Sequence, residues 1–355
     1  MKKFIEIMLW GSSLQNLQRV GSADREIEYY HLFSPDYEVI LFEYSCGDNT
    51  TDYADAPRID TTPTYFKNKL LQSTAGALLA AMWGEAPEAI RTKQFWGSWA
   101  GVFFKWVTHK PLIIRMGYVW SHTFILERGI KNAFLIGALR TLERIVLSQA
   151  DAVICTTPEI RKYFAVSPIP FEVIPNGVSN RRFSYKKTPK AYDFIFVGRL
   201  IKIKNIEELI NGIPDSYSLL VIGDGPEKSL LDDRANTDWI GMVANNNLPS
   251  YLRTARCFVS LSKSEGHPKA VLEAIFCGCY PILSDIPAHR RMINELGYGS
   301  LVKTPAAKTQ IRTILDNAKI LPKELLSFKR KYSMYRLVKR EIAYMNSISV
   351  PGKNV

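Results

Sequence analysis

Short apolar runs alternate with amphipathic stretches along this chain, and the alternation occurs in two series. Residues 4–9, 37–44, 89–93, 111–115, 152–155 and 171–174 are brief apolar segments, most of them rich in Ile, Val, Phe or Tyr. Runs of that length and content read as buried strands. Between them, Ser22 predicts the N-cap of a helix whose apolar positions include Ile27, Tyr30 and Phe33, and residues 100–107 predict another. A basic, turn-rich linker at about residues 180–192 precedes a second series that starts with the strand 194–197. Strands alternating with helices predict parallel sheets, so the fold class is α/β. The tail, residues 328–345, has helical apolar spacing and many cations.

At 355 residues the chain has room for two domains. Its 46% hydrophobic and 23% charged residues are those of a globular protein with a sizeable core. No stretch is apolar over the length a membrane helix needs, and Glu6 interrupts the N-terminal apolar run, which is therefore expected to be a strand rather than a signal peptide. The five cysteines include no C-x-x-C and are expected to be buried thiols of a cytoplasmic protein.

Charge is unevenly placed. Of the net +12, residues 301–355 contribute +9 (12 Lys and Arg against 3 Asp and Glu) and residues 101–150 contribute +5 (7 against 2). A basic face implies an anionic partner. Nucleic acid has no supporting motif here, and an anionic membrane surface fits better. The aromatic stretch 95–107 could touch lipid or form a core helix, and the core is the expectation.

The chemistry concentrates in the run Ser264-Glu265-Gly266-His267-Pro268-Lys269-Ala270-Val271-Leu272-Glu273-Ala274. Residues 257–261 read as a strand, 262–267 as a loop, Pro268 as the first helical position and Gly278 as the residue past the helix end. Glu265 then lies in the loop and Glu273 between one and two turns into the helix. The N–H groups of Gly266, His267, Lys269 and Ala270 form an anion site at the helix N-terminus. Two glutamates at this spacing also arise by chance, and it is the flanking residues that change the reading.

This run resembles the E-x7-E signature of retaining GT-B glycosyltransferases of glycosyltransferase family 4. So does Phe196-Val197-Gly198-Arg199-Leu200-Ile201-Lys202-Ile203-Lys204-Asn205, which is similar to that family's F-V-G-R-L-x-x-x-K-N/G element. Leu220-Val221-Ile222-Gly223-Asp224-Gly225-Pro226 resembles its strand and G-x-G-P turn. Trp239-Ile240-Gly241-Met242-Val243 and Pro175-Asn176-Gly177-Val178 match two further elements. The resemblance implies two Rossmann-like domains facing a central cleft: 1–180 on the acceptor side, 181–327 on the donor side, and 328–355 as a helix and tail crossing back to the first. It implies transfer of a hexose-type sugar from a nucleoside-diphosphate sugar to a saccharide or lipid-linked saccharide. Arg199 and Lys204 are expected on the diphosphate, Glu265 on the donor sugar, Glu273 on the ribose, Gly266 and His267 as phosphate donors through their N–H groups, Val243 at the base and Gly11 in the first domain's glycine loop.

There is no D-x-D motif, so fixed cations and a helix N-terminus are expected to replace a metal, with no cofactor beyond the donor substrate. Retention is the expected course, through same-face attack or through a covalent intermediate on Glu265. The first domain departs from the family pattern, because no histidine stands at the end of the strand 112–115. Arg115, Tyr118 and Gln94 are the acceptor-side candidates, and His122 lies in what reads as the following loop. Three other readings remain. A dinucleotide-dependent oxidoreductase lacks its G-x-G-x-x-G after the first strand. A noncatalytic sugar-nucleotide binder and a purely structural protein would be distinguished from an enzyme by nucleotide binding and turnover.

Overall fold

The computed structural model describes residues 2–8, 13–19, 21–43, 59–61, 64–84, 87–165, 167–232, 234–305, 308–319 and 322–349. Gly11 lies outside the described residues. The chain divides into two units, Met1–Pro175 with Leu337–Val355, and Asn176–Arg336.

The first unit carries strands β1 (Lys2–Ile7), β2 (Tyr37–Phe42), β3 (Ile59–Thr61), β4 (Ala89–Thr92), β5 (Leu112–Met116), β6 (Ala152–Cys155) and β7 (Phe171–Val173). They form one sheet in the order β3-β2-β1-β4-β5-β6-β7, with every neighbour parallel. The second unit carries β8 (Tyr192–Val197), β9 (Leu219–Ile222), β10 (Thr237–Trp239), β11 (Ala255–Ser260), β12 (Tyr280–Ser284) and β13 (Ser300–Val302). These order as β10-β9-β8-β11-β12-β13, again all parallel. Central strands such as Ile113, Ile114, Val153 and Ile154 are buried, which is why they read as continuous apolar runs rather than as alternation. Each sheet reverses its strand order once, between β1 and β4 and between β8 and β11. In open α/β sheets, ligands bind outside the carboxyl ends of the strands at such a reversal.

The tail departs from expectation in two ways. It is two helices, Pro322–Lys331 and Met334–Ser349, not one. The break falls at Tyr332-Ser333, where the Val178 N–H donates to the Tyr332 carbonyl at 2.9 Å and the Met334 N–H donates to the Val178 carbonyl at 3.0 Å. Phe328 and Tyr332 pack in the core of the second unit with Phe276, so residues 328–336 belong to that unit and the return begins at Leu337. The first boundary falls after Pro175 rather than at 180.

A buried charge cluster ties the last helix into the first unit. Arg91 on β4 is 1% exposed. Its Nε lies 2.7 Å from Glu6 Oε2 and its Nη1 3.1 Å from Glu341 Oε1. Glu341 also pairs with Arg115 Nε at 3.4 Å and accepts from the Tyr29 hydroxyl at 2.6 Å.

The aromatic stretch is largely core. Phe95 and Phe104 are buried and Trp96 stacks on Trp120 at 4.6 Å, although Trp106 is exposed. Ser22 occupies an N-cap position but its hydroxyl makes no cap bond and donates instead to the Leu17 carbonyl. His122 stands on the helix Trp120–Arg128, not in a loop. No helix of the described residues is long and apolar enough to cross a membrane.

Candidate active site

Arg199, Lys204, Glu265, Gly266 and His267 follow the carboxyl ends of β8 and β11, where the sheet reverses, while Glu273 lies in the helix after β11 and Val243 follows the edge strand β10. After β8 the chain runs through Gly198 and Arg199 into a short 3-10 turn, Lys202–Lys204. Asn205 then adopts a left-handed conformation (φ 58°) and starts the helix Ile206–Gly212. Arg199 is exposed. The glycine turn after β9 presses against this segment. Gly223 has φ 139°, and a Cβ there would lie 1.9 Å from the Gly198 carbonyl oxygen, so only glycine lets the two backbones approach.

After β11, residues 261–268 lead to the helix Lys269–Cys277, with Pro268 as N-cap and Gly278 closing it at φ 90°. Two bonds stitch this loop to the cationic turn. The Lys263 N–H donates to the Ile203 carbonyl at 2.9 Å, and Asn205 Nδ2 donates to the Leu261 carbonyl at 3.2 Å. They bring Lys204 and Glu265 into an ion pair, with 21% and 12% of their side chains exposed. The helix N-terminus leaves first-turn N–H groups without helical acceptors directly after Gly266 and His267.

Glu273 is buried at 3% exposure and accepts a hydrogen bond from Asn245 Nδ2 at 3.3 Å. Asn245 is held in turn by Arg182, whose Nη1 donates to Asn245 Oδ1 at 2.8 Å and to Asn246 Oδ1 at 2.9 Å. Val243, two residues before Asn245, is partly buried against the apolar core. The His267 carbonyl accepts from Asn176 Nδ2 at 2.8 Å, and the His267 ring lies 5.2 Å from that of Tyr332.

Several contributors escaped the sequence reading. His289 is fully buried at the start of the helix Pro287–Leu296, with Nδ1 3.0 Å from the Ser284 carbonyl. Ser284 Oγ donates to the Ser262 carbonyl at 2.6 Å, which links β12 to the Glu265 loop. Burial pushes the His289 imidazole down to about 4, against the pull of Glu265 and with a further push from Lys204. Only the Asn176-Gly177-Val178 match hinted at Asn176. Arg182, Asn245 and His289 had no local signal, because their partners lie far away in sequence.

In the first unit the acceptor-side candidates have structural partners. Arg115 faces Glu341 and is 11% exposed. Gln94 Oε1 accepts from the Gly117 N–H at 2.9 Å and so braces the turn after β5. Tyr118 is partly buried against the apolar core. Among the described residues, no three His, Cys, Asp or Glu side chains are grouped to hold a metal ion.

Residues 178–330 match the family described as glycosyl transferases group 1. A curated Escherichia coli protein, UDP-Gal:alpha-D-GlcNAc-diphosphoundecaprenol alpha-1,3-galactosyltransferase, is 24% identical over 326 residues, 82% of this chain and 81% of that protein. GDP-mannose:cellobiosyl-diphosphopolyprenol alpha-mannosyltransferase of Xanthomonas oryzae pv. oryzae is 27% identical over 230 residues, 59% of this chain and 60% of that protein. Apart from the Escherichia coli protein, the chain spans between 39% and 60% of the length of these curated relatives. Among solved structures, Anabaena Alr3699/HepE in complex with UDP and glucose superposes with TM-score 0.74 at 12% identity, covering 98% of this chain and 100% of that one. Likeness at that identity establishes the fold. The chain therefore has the two-domain GT-B fold, and its second unit is a glycosyl transferases group 1 domain.

Proposed function

We propose that this chain transfers a hexose-type sugar from a nucleoside-diphosphate sugar to a saccharide or lipid-linked saccharide, with retention at the anomeric carbon. The observation that carries the reading is the meeting of Lys204 and Glu265 at the strand-order reversal, one helix away from buried Glu273. In this reading Arg199 and Lys204 bind the diphosphate and stabilise the charge that grows on the leaving nucleotide. First-turn N–H groups after Gly266 and His267 add to that site. Glu273 accepts from the ribose hydroxyls, Glu265 orients the donor sugar and Val243 meets the base through its backbone. The leaving phosphate takes the acceptor proton on the face it departs from, and a Glu265 nucleophile is the competing course.

The cations and the helix N-terminus do the work a metal would otherwise do, so the reaction is proposed to be metal-independent. The names of two relatives pair a nucleotide sugar with a diphosphoprenol-linked glycan. That supports a lipid-linked acceptor in polysaccharide or glycolipid assembly, and the proposed place of the reaction is the cytoplasmic face of an anionic membrane.

One observation favours a second reading. Arg115 and Gln94 are committed to structural partners, as expected of a noncatalytic nucleotide-sugar binder with a degenerate acceptor side. Calorimetric titration with UDP, GDP and ADP in the presence of EDTA tests the donor site. The expected result is selective binding of one nucleotide, weakened about 10- to 100-fold in Lys204→Ala, the worth of a charge-assisted bond. Binding without turnover on any lipid-linked acceptor would favour the second reading. No binding would overturn both.

A further inference from the structure

The Glu273 carboxylate is held by a residue from another element. Its Oε1 accepts from Asn245 Nδ2 at 3.3 Å, and both residues are buried, at 3% and 5% exposure. Asn245 lies between β10 and the helix Leu248–Thr254, whereas Glu273 lies in the helix Lys269–Cys277. Leu248 and Leu252 share one core cluster with Leu272 and Ile275, which seats the segment carrying Asn245 against the helix carrying Glu273. An amide can turn either its oxygen or its nitrogen to a neighbour, and its partners decide which. Arg182 decides it here. Its Nη1 donates to Asn245 Oδ1 at 2.8 Å, and a guanidinium has donors only. The amide oxygen is therefore kept on Arg182 and the amide N–H is turned to Glu273.

Arg182 is itself fixed in place. Phe183 beside it is 1% exposed, and Arg253 donates to the Arg182 carbonyl at 3.1 Å and to the Ser184 carbonyl at 2.9 Å. A guanidinium, an amide and a carboxylate thus stand in line, each oriented by the one before it. A carboxylate has about four lone-pair sites, so the bond from Asn245 sets its direction without using up its capacity to accept. We propose that Asn245 is a positioning residue: it holds Glu273 as an acceptor for the ribose hydroxyls, and the donor site thereby selects ribonucleoside over deoxyribonucleoside diphosphates. A buried group built to bond a hydroxyl is left unpaired by an analogue that lacks one, and that is the physical source of the selection. The inference rests on the ribose reading of Glu273 and adds to it the residue that sets the carboxylate and the class of nucleotide the site takes.

Calorimetry with UDP, GDP and ADP, each beside its 2′,3′-dideoxy form, tests it. The wild type should bind one ribonucleotide at least about tenfold more tightly than the dideoxy form. Asn245→Asp keeps the shape and pairs with Arg182, yet turns an oxygen to Glu273 where an N–H stood. It should lose about tenfold in affinity for the ribonucleotide and none for the dideoxy form, so that the two bind alike. Asn245→Ala should do the same, and retained dideoxy binding shows that both variants fold. Lys204→Ala, placed on the diphosphate, should weaken both forms equally and keep their ratio. Equal losses for the two forms in the Asn245 variants would make Asn245 merely structural and overturn the proposal, as would a ratio that stays at the wild-type value. If Glu273→Gln abolished the ratio while the Asn245 variants kept it, the positioning role alone would fall. A wild type that did not distinguish the two forms, or bound none of the nucleotides, would overturn the ribose reading of Glu273 and this proposal together.

Discussion

Lys204 and Glu265 are 61 residues apart in sequence and form an ion pair between the loops that follow two adjacent strands. With no ligand bound, each neutralises the other. A diphosphate that recruits Lys204 therefore frees the Glu265 carboxylate for a sugar hydroxyl. In the proposed reading, donor binding and sugar orientation are coupled through this contact.

That coupling predicts opposite results for the two partners. Lys204→Ala should weaken nucleoside-diphosphate binding about 10- to 100-fold. Glu265→Gln removes the competitor for Lys204, so diphosphate affinity should hold or rise while turnover falls. Calorimetry and a turnover assay on both variants check this. Equal loss of diphosphate affinity in both would mean that the pair merely holds the loops together.

Glu273 is expected to read the ribose. Glu273→Gln keeps the size but turns half of an acceptor into a donor, which should cost about tenfold in ribonucleotide affinity. The 2′,3′-dideoxy analogue should bind the variant and the wild type alike. A matching loss for that analogue would place Glu273 away from the ribose.

Glu341 holds the last helix to the sheet by sitting against Arg91 and Arg115, and all three are largely desolvated. Removing Glu341 takes one carboxylate from two buried cations, of which Arg91 keeps Glu6, and breaking a buried pair typically costs about 3–5 kcal/mol. Glu341→Ala should lower the urea midpoint accordingly, whereas Lys331→Ala, at an exposed pair with Glu295, should cost less than about 1 kcal/mol. Similar shifts in the two variants would contradict the burial argument.

His289 predicts acid sensitivity. Ser284 Oγ gives its proton to the Ser262 carbonyl, so His289 Nδ1 is the donor to the Ser284 carbonyl. Its folded value, about 4, lies below the ordinary 6.5. The unfolded chain therefore takes up a proton between those limits that the folded chain refuses. This stability is complete above pH 6.5 and declines as pH falls towards 4, by up to about 3 kcal/mol. Urea unfolding at pH 7 and pH 5 should show a steeper loss for the wild type than for His289→Gln. Parallel slopes would remove His289 as the cause.

The parts of this molecule that the chain alone revealed are those written in neighbouring residues. Strands such as 152–155 declare themselves by an unbroken apolar run, because a strand buried on both faces has no polar positions. Glu265, Pro268, Glu273 and Gly278 outlined a loop and a helix because capping and termination depend on residues within a few positions of each other. The helix Ala133–Ser148 was not legible. Apolar on two faces, it carries no single-sided period, and exposed residues such as Phe134 and Ile145 look in sequence like core.

Sequence by itself determined the α/β class, the strand-loop-helix frame around Glu265 and Glu273, and the cationic turn at Lys204. It could not determine pairings between distant segments. The break at Tyr332-Ser333 depends on hydrogen bonds with Val178, the commitment of Arg115 on a helix that arrives more than two hundred residues later, and the burial of His289 on packing against other strands. Local steric and capping preferences act over a few residues and can be read from them. Desolvation and ion pairing depend on which distant groups a side chain meets, and only the folded chain decides that.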